Sequence, residues 1–144
     1  MTTAIINTDM NIGPFKIPGN GQNMILNNYA ERNKIIVEEI IPEPFMSNAL
    51  TTTQWVHKKK KLKKVILCSI HQLPQKQKRI EDLINTMVDV EFHFALESIS
   101  GKGSKFLLDC IKEAKIFREA EIIDSTKTTW SDLYRLRQET RKRS

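Results

Sequence analysis

Eight polar side chains have the types and positions needed to bind or transform a small molecule. Carboxylates and a histidine serve as acid–base groups near neutral pH, and we predict a catalytic role for Glu97, Glu43 and His71. Amides, a hydroxyl and a guanidinium bind sugar hydroxyls and phosphate groups, which is the role expected of the other five. These predicted substrate-binding residues are Gln22, Asn23, Ser69, Gln72 and Arg79.

Each candidate also has a structural explanation, which the sequence leaves open. His71 follows a predicted strand and could simply bond a neighbouring carbonyl, while Glu97 could be solvated or paired at a strand end. Gln22 and Asn23 open a predicted helix, where they could bind an anion or cap the helix. His93 lies between two phenylalanines, a position typical of a buried histidine with satisfied hydrogen bonds.

Several kinds of site are excluded by spacing. The histidines and carboxylates do not share the short spacing of metal ligands, and Cys68 and Cys110 fit neither a zinc site nor a disulfide framework. Glycine-rich nucleotide loops and the Gly-x-Ser-x-Gly elbow of hydrolases are missing from the sequence. We therefore predict no metal and no cofactor.

The elements that would position these side chains alternate between strand and helix. Pattern and turn signals predict strands near residues 4–6, 35–41, 65–70 and 90–96, with Pro42 and Pro44 ending the second strand. The first predicted helix is capped by Asn20, and the second covers residues 51–61 with Trp55 facing the core. The third covers residues 77–89, and the fourth covers residues 104–118, after a break at two glycines.

This alternation predicts an α/β fold. We expect a single three-layer domain over residues 1–120, with about four parallel strands and flanking helices, of resolvase-like or flavodoxin-like type. Residues 121–144 are predicted to form a linker and a basic C-terminal helix. Ligands of parallel sheets bind beyond the carboxyl ends of the strands. Most of the candidate residues lie there, so we expect a small-molecule pocket at that edge.

Composition and charge limit the classes of partner that we expect for this protein. The 144 residues are 40% hydrophobic and 28% charged, no apolar run is long enough for a membrane span, and the first residues do not resemble a signal peptide. We therefore expect a cytoplasmic protein without a membrane partner. The net charge of +6 comes from six lysines between 58 and 64, without which basic and acidic residues would balance. We interpret this run mainly as the solvated end of a helix, so a nucleic-acid partner is not expected.

The C-terminal segment predicts self-association. Trp130, Leu133, Tyr134 and the stem of Arg137 recur at helical spacing and form one apolar-leaning stripe. An isolated helix of this length is marginal in water, so the stripe should be buried against another surface. We expect a homo-oligomer, most simply a dimer, held together by this helix.

The order of the elements resembles the catalytic domain of serine recombinases, or resolvases. Gln72-Leu73-Pro74 stands where that family has an arginine-rich Arg-Leu-Ser-Arg stretch, and Glu97 stands where the family has a glutamate before a helix. The family's first strand carries a nucleophilic serine beside an arginine, whereas this chain has Ile6-Asn7-Thr8-Asp9. The resemblance therefore implies the fold, and the missing serine and arginines argue against recombinase activity.

A second resemblance covers residues 17–120. The chain is similar to small uncharacterised proteins encoded sporadically in bacterial surface-carbohydrate biosynthesis clusters. The shared pattern is Pro18, Gln22-Asn23, Tyr29, Asn33, Glu43-x-x-Met46, Ser69-Ile70-His71-Gln72-Leu73-Pro74, Arg79 and His93-Phe94-Ala95-x-Glu97, with an aromatic residue usual in place of His71.

This resemblance implies a pathway but no reaction. We expect a cytoplasmic protein of surface-polysaccharide biosynthesis that binds or acts on a sugar or sugar-phosphate intermediate at the carboxyl edge of the sheet. One alternative is a non-catalytic scaffold or regulator of a partner enzyme in the same pathway. A second alternative is a recombinase-derived nucleic-acid-binding protein that uses the lysine run and the basic tail.

Overall fold

A computed structural model describes residues 2–8, 12, 16–44 and 49–127 of the chain, the last seven of these as helix backbone only. These residues form five strands, four α-helices and one short 3₁₀ turn. In chain order they are β1 (Thr2–Thr8), α1 (Gly19–Arg32), β2 (Glu39–Glu43), α2 (Thr51–Lys60), β3 (Leu62–Leu67), the 3₁₀ turn (Ile70–Gln72), α3 (Gln77–Met87), β4 (Glu91–Phe94), β5 (Ile99–Lys102) and α4 (Ser104–Lys127).

The strands make one sheet in the order β2-β1-β3-β4-β5. The first four strands are parallel to one another, and β5 is antiparallel to β4. The chain passes from β1 outward to β2 and then crosses back to β3 on the other side of β1. The direction of winding therefore reverses between β1 and β3, and ligand sites in such sheets form near that reversal, beyond the carboxyl ends.

Helices cover both faces of the sheet, which confirms the three-layer prediction. Ile5 and Ile66 pack with Leu26 and Tyr29 of α1 on one face. Their neighbours along the strands point the other way, toward a larger core built from the 3₁₀ turn and from α3 and α4. Members of that core include Ile6, Val65, Leu67, Ile80, Leu83, Phe92, Phe94, Leu107 and Ile111.

The edge strands differ from the predictions. The second strand is Glu39–Glu43 rather than 35–41, and Pro42 lies within it instead of ending it. A proline is tolerated there because β2 is at the edge of the sheet, where a missing N–H leaves no partner unsatisfied. The sequence predicts that the two glycines after the fourth strand interrupt regular structure. In the structure, Gly101 instead lies within the strand β5. Hydrophobic alternation is weak in β2 and β5 because they are only partly buried. The sequence therefore does not predict the position of either strand correctly.

Two helices also differ in detail. Trp55 of α2, predicted to face the core, is 60% exposed, and Thr53, Gln54 and His57 are buried instead. The helix α4 continues to Lys127, past the predicted end at residue 118. The lysine run extends beyond α2 into β3. This strand begins at Leu62, three residues before its predicted start.

Within the described residues no helix is long and apolar enough to span a membrane. The predicted helix that begins at Trp130, and the self-association expected of it, lie outside the described residues.

Candidate functional site

Glu97 and Ser69 form the best-defined polar contact at the carboxyl edge of the sheet. Ser69 follows β3 and Glu97 follows β4, so the parallel pairing of these strands brings the two side chains together. The Ser69 hydroxyl donates to one carboxylate oxygen of Glu97 at 2.7 Å, and the backbone N–H of Ile70 donates to the other at 2.9 Å. Both oxygens of this predicted catalytic carboxylate are thus engaged by the chain after β3.

The side chain of Gln72 stabilises the same turn through hydrogen bonds to its backbone. Its Oε1 accepts hydrogen bonds from the backbone N–H groups of Cys68, at 2.8 Å, and of Ser69, at 3.3 Å. Together with the Ser69 hydroxyl, which accepts from the N–H of His71, this makes a capping box around the 3₁₀ turn. The Nε2 of Gln72 is buried and has no hydrogen-bond partner among the described residues. The predicted substrate-binding residues Ser69 and Gln72 therefore act together with Glu97 to shape one turn.

This cluster has no accessible nucleophile. Ser69 is fully buried, so its hydroxyl cannot meet a substrate without local opening. Burial raises the pKa of the neighbouring Cys68 thiol to about 12, and the negative charge of Glu97 adds to the effect. Since the thiolate is the reactive form, Cys68 stays inert near neutral pH and packs as a small apolar group.

His71 is oriented by α4 rather than by the carboxylates. Its ring makes an edge-to-face contact with Phe117, with the ring centroids 5.3 Å apart. Its backbone carbonyl accepts a hydrogen bond from the guanidinium of Arg118 at 2.6 Å. Its contact with Ser69 uses the backbone N–H, at 3.2 Å. These contacts give His71 a part in docking α4 against the 3₁₀ turn.

Gln22 and Asn23 sit at the end of β1. The Gln22 side-chain amide is fully buried and makes three hydrogen bonds to the backbone. Its Oε1 accepts from the N–H of Thr8 at 2.8 Å. Its Nε2 donates to the carbonyls of Thr8, at 2.7 Å, and of Ile17, at 2.8 Å. Asn23 accepts a hydrogen bond from the side chain of Asn7 at 2.9 Å. The Gln22 side chain thus locks the start of α1 to the end of β1.

Glu43 ends β2 and caps α2. One carboxylate oxygen accepts from both the N–H and the hydroxyl of Thr53, each at 2.6 Å, and the other accepts from the N–H of Thr52 at 3.4 Å. A carboxylate at a helix N-terminus satisfies free N–H groups and complements the helix dipole. Glu43 is only 3% exposed, yet it also contributes to the wall of a cavity.

That cavity lies between the carboxyl ends of β1 and β2 and the first residue of α1. Its volume is about 470 Å³, which is within the range of small-molecule sites. The described residues that line it are Asn7, Thr8, Gly19, Pro42, Glu43 and Pro44.

The predicted site residues therefore divide into two groups and one outlier. Ser69, His71, Gln72 and Glu97 lie at the turn after β3, whereas Gln22, Asn23 and Glu43 lie around the ends of β1 and β2. Cys68 links the groups through a contact of its sulfur with the Gln22 carbonyl at 3.8 Å. Arg79 is half-buried on α3 and makes no ion pair with the described residues.

His93 belongs to a separate hydrogen-bonded chain on the α1 face. Its Nδ1 lies 2.9 Å from the Tyr29 hydroxyl and its Nε2 lies 2.7 Å from a carboxylate oxygen of Glu91. A carboxylate only accepts, so in the neutral ring Nε2 carries the proton and Nδ1 accepts from the tyrosine. The hydrogen bond from His93 holds the pKa of Glu91 below its usual range, while burial and the charge of Glu91 raise the pKa of Tyr29. His93 is thus a satisfied, largely buried histidine.

Several residues near these groups were not among the predicted site residues. Thr8 and Gly19 line the cavity, and Arg118 reaches the turn after β3 from a helix distant in sequence. Arg118 makes a contact across 47 positions, for which a single sequence has no signal. Among the described residues no group of three histidines, cysteines or carboxylates is placed to hold a metal ion.

Comparison with protein families and with curated proteins gives no match for this chain. Among solved structures, the chain is similar to the N-terminal catalytic domain of TP901-1 integrase, with a TM-score of 0.56 and 18% sequence identity. The similarity covers 84% of this chain and 99% of the integrase domain. At this identity the likeness concerns the fold alone, and it supports the predicted resolvase-like α/β fold.

Proposed function

We propose that this protein binds a sugar or a sugar phosphate in the cavity at the carboxyl ends of β1 and β2. The observation that carries the proposal is the cavity itself: about 470 Å³, at the sheet edge where parallel α/β folds bind ligands, and lined by both polar and apolar residues. The sequence pattern shared with proteins of surface-carbohydrate clusters supports a ligand from surface-polysaccharide biosynthesis.

The chemistry of the lining suits a polyhydroxylated ligand. Asn7 and Thr8 offer groups that both donate and accept hydrogen bonds, and the Glu43 carboxylate accepts from hydroxyl groups. Pro42 and Pro44 supply apolar surface against which the C–H face of a sugar ring can pack. Gly19 begins α1, Pro18 at the N-cap makes no side-chain capping bond, and a Cβ at Gly19 would meet no atom of the described residues within 4 Å. The first turn of α1 is therefore the part of the wall suited to a phosphate.

The contacts of the candidate catalytic groups support binding rather than a chemical step. The oxygens of Glu97 are held by Ser69 and Ile70, and those of Glu43 are held by the first turn of α2. A general acid or base must reach the substrate proton directly, and the donors on each carboxylate already occupy part of its capacity to accept hydrogen bonds. The proposal therefore gives Glu97 a positioning role at the turn after β3, and it gives Glu43 a ligand-orienting role in the cavity wall.

Thermal unfolding with a panel of sugars, sugar phosphates and nucleotide sugars tests the proposal. A ligand at 100 times its dissociation constant stabilises the folded state by about 2.7 kcal/mol, which raises the melting temperature of a chain of this size by at least about 5 °C. The variant Asn7→Ala should lose most of that increase, because it removes a polar group of the cavity wall.

Asn27→Ala is the matched control. Asn27 is exposed on the same helix as Gly19, and its side chain donates to the Asn23 carbonyl at 2.8 Å without lining the cavity. It should keep the ligand-induced increase. Equal losses in the two variants, or no increase with any member of the panel, would refute the proposal.

A further inference from the structure

A cationic surface with one exposed aromatic ring lies at the opposite end of the sheet from the cavity. We call it the Trp55–lysine surface, and it consists of Trp55, Lys58, Lys59, Lys61 and Lys63. These residues occupy the end of α2 and the first residues of β3, whereas the cavity lies at the carboxyl ends of the parallel strands. The surface is thus separate from the proposed sugar site.

The backbone between α2 and β3 is fixed by a buried histidine. The Nδ1 of His57 accepts a hydrogen bond from the N–H of Leu62 at 3.0 Å, and its Nε2 lies 3.1 Å from the Asp89 carboxylate. The N–H of Lys61 donates to the His57 carbonyl at 2.9 Å. The turn that presents the lysines is therefore held at three points.

Two irregularities of this backbone turn lysines outward. Lys61 has a φ of 48°, a conformation that residues other than glycine adopt at a cost. Lys63 is an extra residue in β3, because Thr2 pairs with Leu62 while Thr3 pairs with Lys64. Such a bulge redirects a side chain out of the regular alternation. Both lysines are exposed as a result.

The charges of this surface are not neutralised by ion pairs with the described residues. Lys60 pairs with Glu39 at 2.6 Å and Lys64 with Glu91 at 3.6 Å, which leaves the other four lysines of the run. Of these, the Lys59 ammonium lies 5.6 Å from the centre of the Trp55 ring. Lys58, Lys61 and Lys63 make no ion pair with any residue in the described part of the chain.

We propose that the Trp55–lysine surface binds single-stranded nucleic acid. Trp55 is 60% exposed and offers a stacking platform for an unpaired base. Lys58, Lys61 and Lys63 supply charges for the phosphates, and Lys59 places a cation beside the stacked base. Duplexes fit less well, because their bases are already stacked on one another.

An anionic membrane is the less favoured occupant of this surface. Helices that lie on membranes present several apolar side chains on one face. Around Trp55, the positions one turn away on α2 are Thr51, Thr52, Lys58 and Lys59, so a single ring stands among polar groups. This arrangement favours stacking of one base over insertion into lipid.

Fluorescence anisotropy of the full chain with labelled 20-nucleotide dT and rU strands tests the proposal. Binding to either strand supports it, and the comparison shows whether DNA or RNA is preferred. Trp55→Ala should weaken binding by about 5- to 150-fold, the range reported by alanine substitution of base-stacking residues. The double variant Lys61→Gln/Lys63→Gln should reduce the slope of log K against log salt by about 1.4, as expected for two lost single-strand phosphate contacts.

Lys112→Gln/Lys115→Gln is the matched control. It removes the same charge from exposed positions on α4 and should leave both the affinity and the salt slope unchanged. Thermal unfolding of each variant shows that the fold is retained. The proposal is overturned if neither strand binds at 50 mM salt, if Trp55→Ala binds as the parent does, or if the control variant loses as much affinity. It is also overturned if vesicles containing phosphatidylserine bind through Trp55 while the strands do not.

Discussion

At the scale of single residues, Glu97 shows how the conspicuous polar groups of this chain stabilise its loops. Its carboxylate receives one hydroxyl and one backbone N–H from the turn after β3, and hydrogen bonds to charged acceptors are stronger than neutral ones. The same turn contains the buried amide of Gln72. The polar residues that sequence reasoning selected for chemistry thus act, in large part, on each other.

Glu97→Gln should lower the free energy of unfolding by about 1–3 kcal/mol, because it removes a charged acceptor from two donors. Glu81→Gln is the control, since Glu81 is exposed on α3 and, within the described part of the chain, accepts a hydrogen bond only from Gln77, at 3.1 Å. Its effect should stay within about 0.5 kcal/mol. Urea unfolding measures both. Equal stability of the two variants would show that the Glu97 contacts contribute little.

Glu91 makes the stability of the protein depend on pH in the acid range. Its pKa is depressed, chiefly by the hydrogen bond from His93 and with Lys64 contributing. A carboxyl with a lower pKa in the folded state stabilises the fold above its unfolded pKa of about 4.3, and that stability is lost as the pH falls through the folded pKa. Glu91→Gln should therefore flatten the decline of unfolding free energy as the pH falls below about 4.3. Urea titrations at several pH values measure this, and an unchanged acid slope would contradict it.

At the scale of elements, the packing of β5 against α4 depends on a residue without a side chain. A Cβ at Gly101 would lie 2.5 Å from the ring of Phe106, which in turn packs on Phe94 with ring centroids 6.2 Å apart. Gly101→Ala should cost about 1–3 kcal/mol through overpacking. Gly19→Ala is the control, because the new Cβ meets nothing within 4 Å and alanine favours a helix. Thermal unfolding should separate the two variants, and similar melting temperatures would contradict this account.

The elements differ in how far the sequence predicts them. The central strand β3 and the helix α3 are predicted well, because a strand buried on both faces is apolar throughout and an amphipathic helix has a clear period. The edge strands β2 and β5 are predicted poorly, since each has only one neighbour and their burial does not follow a simple alternation. The sequence predicts Trp55 to face the core, whereas in the structure its ring is exposed and His57 takes the inward position.

The candidate site is predictable in location and not in detail. Parallel strands bring their carboxyl ends to one edge, so the polar residues after each strand fall there by topology. Which partner each side chain takes depends on register and on long-range contacts, such as the one from Arg118 to His71. Sequence alone therefore places Glu43 at the edge without indicating that it caps α2.

At the scale of the whole molecule, two surfaces at opposite ends of the sheet have different chemistry. The carboxyl end carries a cavity with amide, hydroxyl and carboxylate groups, and the amino end of β3 carries the Trp55–lysine surface. Both are presented by the same sheet, and the fold is similar to that of the N-terminal catalytic domain of TP901-1 integrase. A fold of this kind supports many functions, so the function must be assigned from the sites themselves.

The central claim, that the cavity between β1 and β2 binds a sugar or sugar phosphate, is tested most directly by amide chemical-shift mapping. The ¹⁵N-labelled full chain would be titrated with the panel member that raises its melting temperature most. The account predicts saturable shifts of the amides of Thr8, Gly19 and Glu43, whose residues line the cavity, with little change at Lys61 and Lys63. Shifts confined to the turn around Ser69 and Glu97, or no saturable shift with any of these ligands, would contradict it.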